Sequence, residues 1–375
     1  MRSLTAAPLL GLAAFGTAAP TNEGWTKGHH GGAPSQNNGG QMPFKFPLAN
    51  GFPNLTDAAL KQVETVAQGT LPNGGLPSNV SASGLTSFRV IAFNEIFEVA
   101  FFTSLIQNIT NNVPGYQLKD NDFRDFTLRA LNAVQAQEEL HAAGVNAILQ
   151  TNNAQPIQPC EYVFPTSTFD DAVALASTFT DLVLGTLQDV QEGLGIARDT
   201  ELIRLISSVI GQEGEQNGFY RSIGDKIPSA LPFLTTSAGP FAFSALNQLF
   251  VVKDSCPNIN TIEVPVFGAL SVTPSTPPPK DTMLTFSFMN DGKYDGNCED
   301  LSLVYINQQN LPIVESVQHV KTDGKMVTFQ ASFPYTENLL NGLTIAAVTN
   351  SKGPFKSADE VAAATMFGPG LIEVN

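Results

Sequence analysis

The sequence predicts an α+β chain of more than one domain, a four-helix bundle followed by a C-terminal antiparallel β-sandwich. Three observations carry this. Apolar residues between about Asn54 and Pro228 recur at helical spacing. From about Thr261 the period changes to the alternation of strands. Turn signals then recur at short intervals through the last third of the chain.

Residues 1–19 carry Arg2, then Leu9, Leu10, Leu12, Ala13, Ala14 and Phe15, then small residues, the pattern of a secretory signal. The apolar stretch falls short of the roughly 20 residues that span a bilayer; a signal anchor is the alternative, and no later run reads as a membrane span. Residues 20–47 form a flexible Gly/Asn/His-rich arm in which Trp25, His29 and His30 are solvated. The bundle is expected over 48–235. A short helix at 56–67 is closed by Gly- and Pro-rich sequence, and long helices follow at 83–108, 120–149, 168–193 and 200–227. Ser83, Asp120 and Thr168 are N-cap residues, and Pro114, Pro156 and Pro228 stand just beyond helix ends. Residues 236–260 read as a linker. The β-sandwich is expected over 261–375, with strands at 264–272, 283–288, 301–306, 314–320, 326–333 and 343–348. Asn290-Asp291-Gly292, Asp323-Gly324 and Asn341-Gly342 mark turns between them.

Of 375 residues 42% are hydrophobic, enough for a sizeable core, while only 14% are charged, against about 25% in an average soluble protein. The net charge of −15, without a basic cluster, excludes nucleic acid and anionic lipid as partners. Asn54, Asn79 and Asn108 each begin a glycosylation tripeptide. Of the three cysteines, Cys160 and Cys256 are the favoured disulfide because they bracket the last two predicted helices, leaving Cys298 odd; three unpaired thiols are the alternative. The expected location is outside the cell or in the cell wall.

Three helical seams carry polar residues at core spacing. The first long helix aligns Phe88, Ile91, Glu95, Glu98, Phe102 and Leu105. The second aligns Leu131, Val134, Glu138, His141, Val145 and Ile148. The fourth aligns Ile206, Val209, Glu213, Gln216, Tyr220 and Ile223. An unpaired buried carboxylate costs several kcal/mol or takes up a proton. Three such pairs at one level therefore call for a shared cation, or for a closed hydrogen-bond network in which His141 donates to Glu95 or Glu213 and Gln216 bridges.

At these residues the chain resembles the ferritin-like superfamily of di-iron and di-manganese carboxylate proteins. The stretches from Phe93 to Phe102 and from Gln137 to His141 look like the ferritin-like domain of secreted fungal late sexual development or stress-response proteins, which are similar to plant desiccation-related proteins. The resemblance implies Glu95 or Glu98 as the first-helix ligand, Glu138 and His141 as the second-helix pair, Glu213 as the fourth-helix carboxylate, and iron or manganese as the ion. Gln216 stands where many relatives have a second His. The third long helix offers no carboxylate, since Phe179, Leu182 and Val183 occupy that level and Asp181 and Asp189 point elsewhere. That shortage speaks against a two-metal centre.

Other chemistries lack their residues. There is no Gly-x-Ser-x-Gly elbow, phosphate loop or dinucleotide fingerprint. His319 reads as an outward strand residue, Glu139 as a solvated neighbour of Glu138, and Asp291, Asp295, Glu299 and Asp300 as a solvated turn. Phe101, Phe102 and Phe219 are core, or the lining of a pocket beside the polar cluster. The expectation is a secreted, glycosylated stress or developmental protein with a degenerate carboxylate metal site and no enzymatic activity. The alternatives are a non-haem oxidase or peroxide scavenger, and a protein that binds cell-wall polysaccharide through its β-domain.

Overall fold

The helical period of residues 54–228 becomes one short and four long helices in the structure, a computed structural model that describes residues 42–290 and 301–375. These are α1 (Asp57–Ala67), α2 (Ala82–Thr110), α3 (Asn121–Thr151), α4 (Phe169–Ala197) and α5 (Ile203–Ile223). Thr56, Asp120 and Thr168 cap α1, α3 and α4 by accepting from a backbone N–H of the first turn. Ser81, not Ser83, caps α2, because its hydroxyl accepts from Gly84 N. A 3₁₀ turn at Thr200–Leu202 leads into α5. The signal segment, Trp25, His29, His30, Cys298 and the acids Asp291, Asp295, Glu299 and Asp300 lie outside the described residues.

Contacts fix the directions of the four long helices. Phe102 of α2 meets Phe179 of α4 and stacks on Tyr220 of α5. At the other end Phe88 of α2 shares a cavity wall with Ile148 of α3, Leu187 of α4 and Ile206 of α5. α2 and α5 therefore run one way, α3 and α4 the other.

The connection from α3 to α4 is tied down by the Cys160–Cys256 disulfide, the pair expected. Beside it Phe44 and Tyr162 exchange backbone hydrogen bonds, and Phe46 packs on Phe52 and Tyr162. The arm expected over 20–47 is thus held against the bundle from Phe44 onward, because its aromatics find buried partners.

Residues 236–260 are not a plain linker. They contain α6 (Gly239–Leu249), with Pro240 in its first turn. Phe243 packs on Phe93 of α2, while Phe241, Ala242 and Ala245 join Val304, Ile306 and Ile345 of the β-domain. Gly185 of α4 admits the chain leading into α6, since a Cβ there would clash with Thr235 O.

The β-domain is two four-stranded antiparallel sheets. One has the order β1 (Leu270–Thr273), β2 (Thr282–Met289), β6 (Met326–Phe333), β5 (Gln318–Asp323). The other has the order β4 (Ile313–Ser316), β3 (Ser302–Asn307), β7 (Gly342–Thr349), β8 (Thr365–Val374). Phe286, Phe288, Phe329, Tyr305 and Phe367 fill the space between them. Every residue of β3 and β7 is buried, because the outer face of that sheet lies on α6, α4 and a short helix, α8 (Ala358–Ala364). A further helical turn, α7 (Tyr335–Asn338), precedes β7.

Three strand expectations are corrected; the strand expected over 264–272 is confined to β1, which begins at Leu270. The single strand at 314–320 is two strands in different sheets, and His319, exposed as expected, has φ of +51° at a register irregularity where β5 begins to pair. The strand β8 was not expected, since Gly368-Pro369-Gly370 interrupts its pattern. A register shift opposite Ala347 accommodates that proline.

Among the described residues one helix, α2, is long and apolar enough to cross a membrane, but 78% of its apolar window is buried inside the fold. It is the core helix of the bundle.

Candidate metal centre

Covered by α3, α4, α5 and α6, α2 is buried almost all round, and Glu95 and Glu98 are each 1% exposed. One turn of α3 presents Glu138 and His141 toward them, and one turn of α5 presents Glu213 and Gln216. One ligand atom each from Glu95, Glu138, His141 and Glu213 lies within 4.8 Å of all the others. His141 Nδ1 is 2.9 Å from Glu138 Oε2, a hydrogen bond. Its approaches of 3.4 Å to Glu95 and 4.0 Å to Glu213 are ion-pair contacts only. Among the described residues, no hydrogen-bond partner reaches either oxygen of Glu95 or of Glu213.

Of the six side chains expected to ligate, four converge and two flank. Gln216 Nε2 donates to Glu138 Oε1 at 2.7 Å, and Tyr220 OH donates to Gln216 Oε1 at 3.3 Å. Gln216 thereby holds a carboxylate in place. Glu98 stands outside the group of four, accepting from Asn94 Nδ2 at 2.8 Å with its other oxygen unpartnered.

Residues 90–225 match the family of ferritin-like domains. The helical bundle is ferritin-like over these residues. No curated protein matches the chain.

The ferritin-like domain draws its four convergent groups from three helices. As expected, α4 contributes no carboxylate to them. Asp181 instead accepts from Asn217 Nδ2 at 2.9 Å, and Asp189 accepts from Gly239 N at the start of α6.

Electrostatics separate the acids. Burial pushes Glu95 up to about 7, partly opposed by His141. Burial, followed by repulsion from neighbouring glutamates, drives Glu98 and Glu213 well above the carboxylate range. Burial also acts to raise Glu138, but the charge and hydrogen bond of His141, with Glu95 close by and the hydrogen bond from Gln216, outweigh it and hold Glu138 below its ordinary value. Burial alone would lower His141; Glu138 and Glu95 reverse this and raise it well above the usual imidazole range. A single imidazolium cannot balance four buried carboxyls, so without a cation the site must hold protons.

The donor set fits a metal ion. Three carboxylates and one imidazole suit iron, manganese or zinc better than a thiolate-seeking ion, and the four unpartnered oxygens of Glu95 and Glu213 are the acceptors such an ion would engage. With Glu98 protonated, a divalent ion would bring Glu95, Glu138 and Glu213 to a residual charge of −1.

A cavity of about 400 Å³ meets the site on one side, its walls including Glu95 and His141. His141 keeps 15% side-chain exposure, whereas the carboxylates keep 1% or less. Phe101 and Phe102 do not line this cavity; they pack with Phe179 in the core.

Two further residues take part without having been singled out for it. Gln137 Oε1 accepts from Gln212 Nε2 at 2.9 Å and from Gln216 Nε2 at 3.2 Å. Glu139, expected in solvent, is 1% exposed and accepts from Asn50 Nδ2 at both oxygens, 3.0 and 2.8 Å. Segment 48–52 folds over α3 to cover it, and nothing in the α3 sequence signals that cover.

Proposed function

We propose that the protein is secreted and that its ferritin-like domain holds one divalent transition-metal ion, iron or manganese, as a stress or developmental protein without a two-metal oxygen-activating centre. The observation that carries the reading is the convergence of Glu95, Glu138, His141 and Glu213 within 4.8 Å, with both oxygens of two carboxylates unpartnered and nothing added by α4. Bound there, the ion would neutralise the buried carboxylates and supply a redox-active or Lewis-acid centre. Gln216 and Tyr220 keep Glu138 aimed at the other three groups, and Glu98 retains its proton beside them. Support for secretion comes from the N-terminal pattern, from the exposed tripeptide asparagines Asn54 and Asn79, and from the disulfide. Asn108 is half-buried in the last turn of α2.

Elemental analysis of untagged protein from a native-like host tests this. About one equivalent of iron or manganese is expected, lost in Glu138→Ala. Absence of metal from the wild type, or a content unchanged in the variant, overturns it. The cavity beside His141 favours a second reading, an oxidase or peroxide scavenger, which predicts peroxide or dioxygen consumption that disappears with Glu138→Ala.

A further inference from the structure

We infer that the cavity beside the carboxylate cluster is a binding site for an uncharged, slender apolar molecule ending in a hydroxyl group, with the hydroxyl placed at Gln212 and Glu95. The inference goes beyond the metal-site reading, because it rests on the shape and lining of the cavity.

The lining changes character along the bundle axis. On α2 it runs from Phe88 through Ile91 to Glu95, on α3 from Ile148 through Val145 to His141, and on α5 from Leu205 through Val209 to Gln212. Each helix passes from apolar to polar over seven residues, a rise of about 10 Å. Since α2 and α5 oppose α3, the three gradients point the same way. The cavity thus has an apolar end and one polar end, the end at the cluster. Gly69, Thr70 and Pro72 from the α1–α2 connection and Ser208 of α5 line it at the protein surface.

The polar end selects the head group. Gln212 Nε2 is engaged by Gln137, but Gln212 Oε1 is buried without a partner among the described residues, as are both oxygens of Glu95. All three are acceptors, so they call for a donor. A hydroxyl supplies one and stays uncharged. A carboxylate supplies none and would face Glu95. When Glu95 serves a metal, Gln212 Oε1 remains open to the hydroxyl. The volume of about 400 Å³ lies in the ordinary range of small-molecule sites, ~300–1,000 Å³. An n-alkyl chain of roughly eight carbons spans the 10 Å length at ordinary bond lengths.

Gly144 allows the cavity to be filled without touching the cluster. A Cβ there would meet only Leu71 Cδ2, at 3.6 Å, and replacing a helical glycine by leucine favours the helix. The experiment titrates the full-length protein with 1-octanol, heptyl methyl ether (the same length without an O–H) and octanoate, by calorimetry and ligand-observed NMR. Wild type is expected to bind 1-octanol saturably at one site, the ether at least fivefold more weakly, and octanoate not measurably. Gly144→Leu is expected to lose 1-octanol binding at least tenfold, and Gln212→Leu to bind alcohol and ether alike. Absence of saturable 1-octanol binding to wild type, undiminished binding to folded Gly144→Leu, or equal binding of alcohol and ether to wild type overturns the inference. Metal content measured on the same samples separates the two readings. Octanol binding to a protein without metal leaves this inference standing and removes the metal site; metal without octanol binding does the reverse.

Discussion

Replacing Glu95 by glutamine should stabilise the metal-free protein at alkaline pH while abolishing its response to metal. Burial raises the Glu95 carboxyl from 4.5 to about 7. At about 1.4 kcal/mol for each pH unit between the two values, ionising Glu95 inside the fold costs about 3 kcal/mol. The group binds its proton more tightly when folded, so its contribution to stability is fully present below pH 4.5 and is lost as pH rises through about 7. Glutamine keeps the shape and never ionises, though its own buried amide costs about 1 kcal/mol. The net gain for Glu95→Gln at pH 8 is then about 2 kcal/mol, falling to zero at about pH 5 and becoming a loss of about 1 kcal/mol at lower pH. Urea unfolding of chelator-treated protein at both pH values measures it. With manganese at a hundredfold over its dissociation constant, wild type should gain about 2.7 kcal/mol and the variant nearly nothing, reversing their order. A Glu95→Gln variant less stable than wild type at pH 8 without metal would refute the claim that this carboxylate is buried without adequate partners.

Three other perturbations probe the frame around the site. Glu139→Ala strands Asn50 and Gln135, which donate to it, and should cost about 2–3 kcal/mol in urea unfolding. Arg221, 1% exposed, donates to Ile227 O at 2.7 Å and to Asn375 Oδ1 at 2.8 Å and faces Glu373 at 3.5 Å. Arg221→Ala removes the cation beside the buried Glu373 carboxyl and should cost about 3–5 kcal/mol, with amide exchange rising first in β8. Paired Cys160→Ser and Cys256→Ser substitutions open a loop with a sequence separation of 96 and should destabilise the protein by about 2–5 kcal/mol in thermal unfolding.

The long helices were legible because each shows a core stripe to its neighbours at 3-4 spacing and starts at a residue able to cap. The convergent acids were legible for the same reason, since Glu95, Glu138, His141 and Glu213 fall on seams that must face one another. α6 was not: packed between α2 and the β-domain, its sequence GPFAFSALNQL is apolar on more than one side and shows no single stripe. In β8 the alternation is broken by Gly368-Pro369-Gly370, which only the register shift against β7 makes compatible with a strand. Whether Gln216 ligates or clamps depends on Tyr220, one turn on along α5, and on Gln137 and Glu138 across the bundle on α3, and helical spacing carries no such rotamer information. Burial of Glu139 depends on a segment about 90 residues away in sequence.

The central claim is that three helices hold a single ion and the fourth adds nothing. Anomalous X-ray diffraction from manganese-loaded crystals tests it most directly. The account predicts one peak, bounded by Glu95, Glu138, His141 and Glu213, with Gln216 still on Glu138 and no side chain of α4 in contact. Two peaks within the bundle, or none at these residues in fully loaded protein, would contradict it.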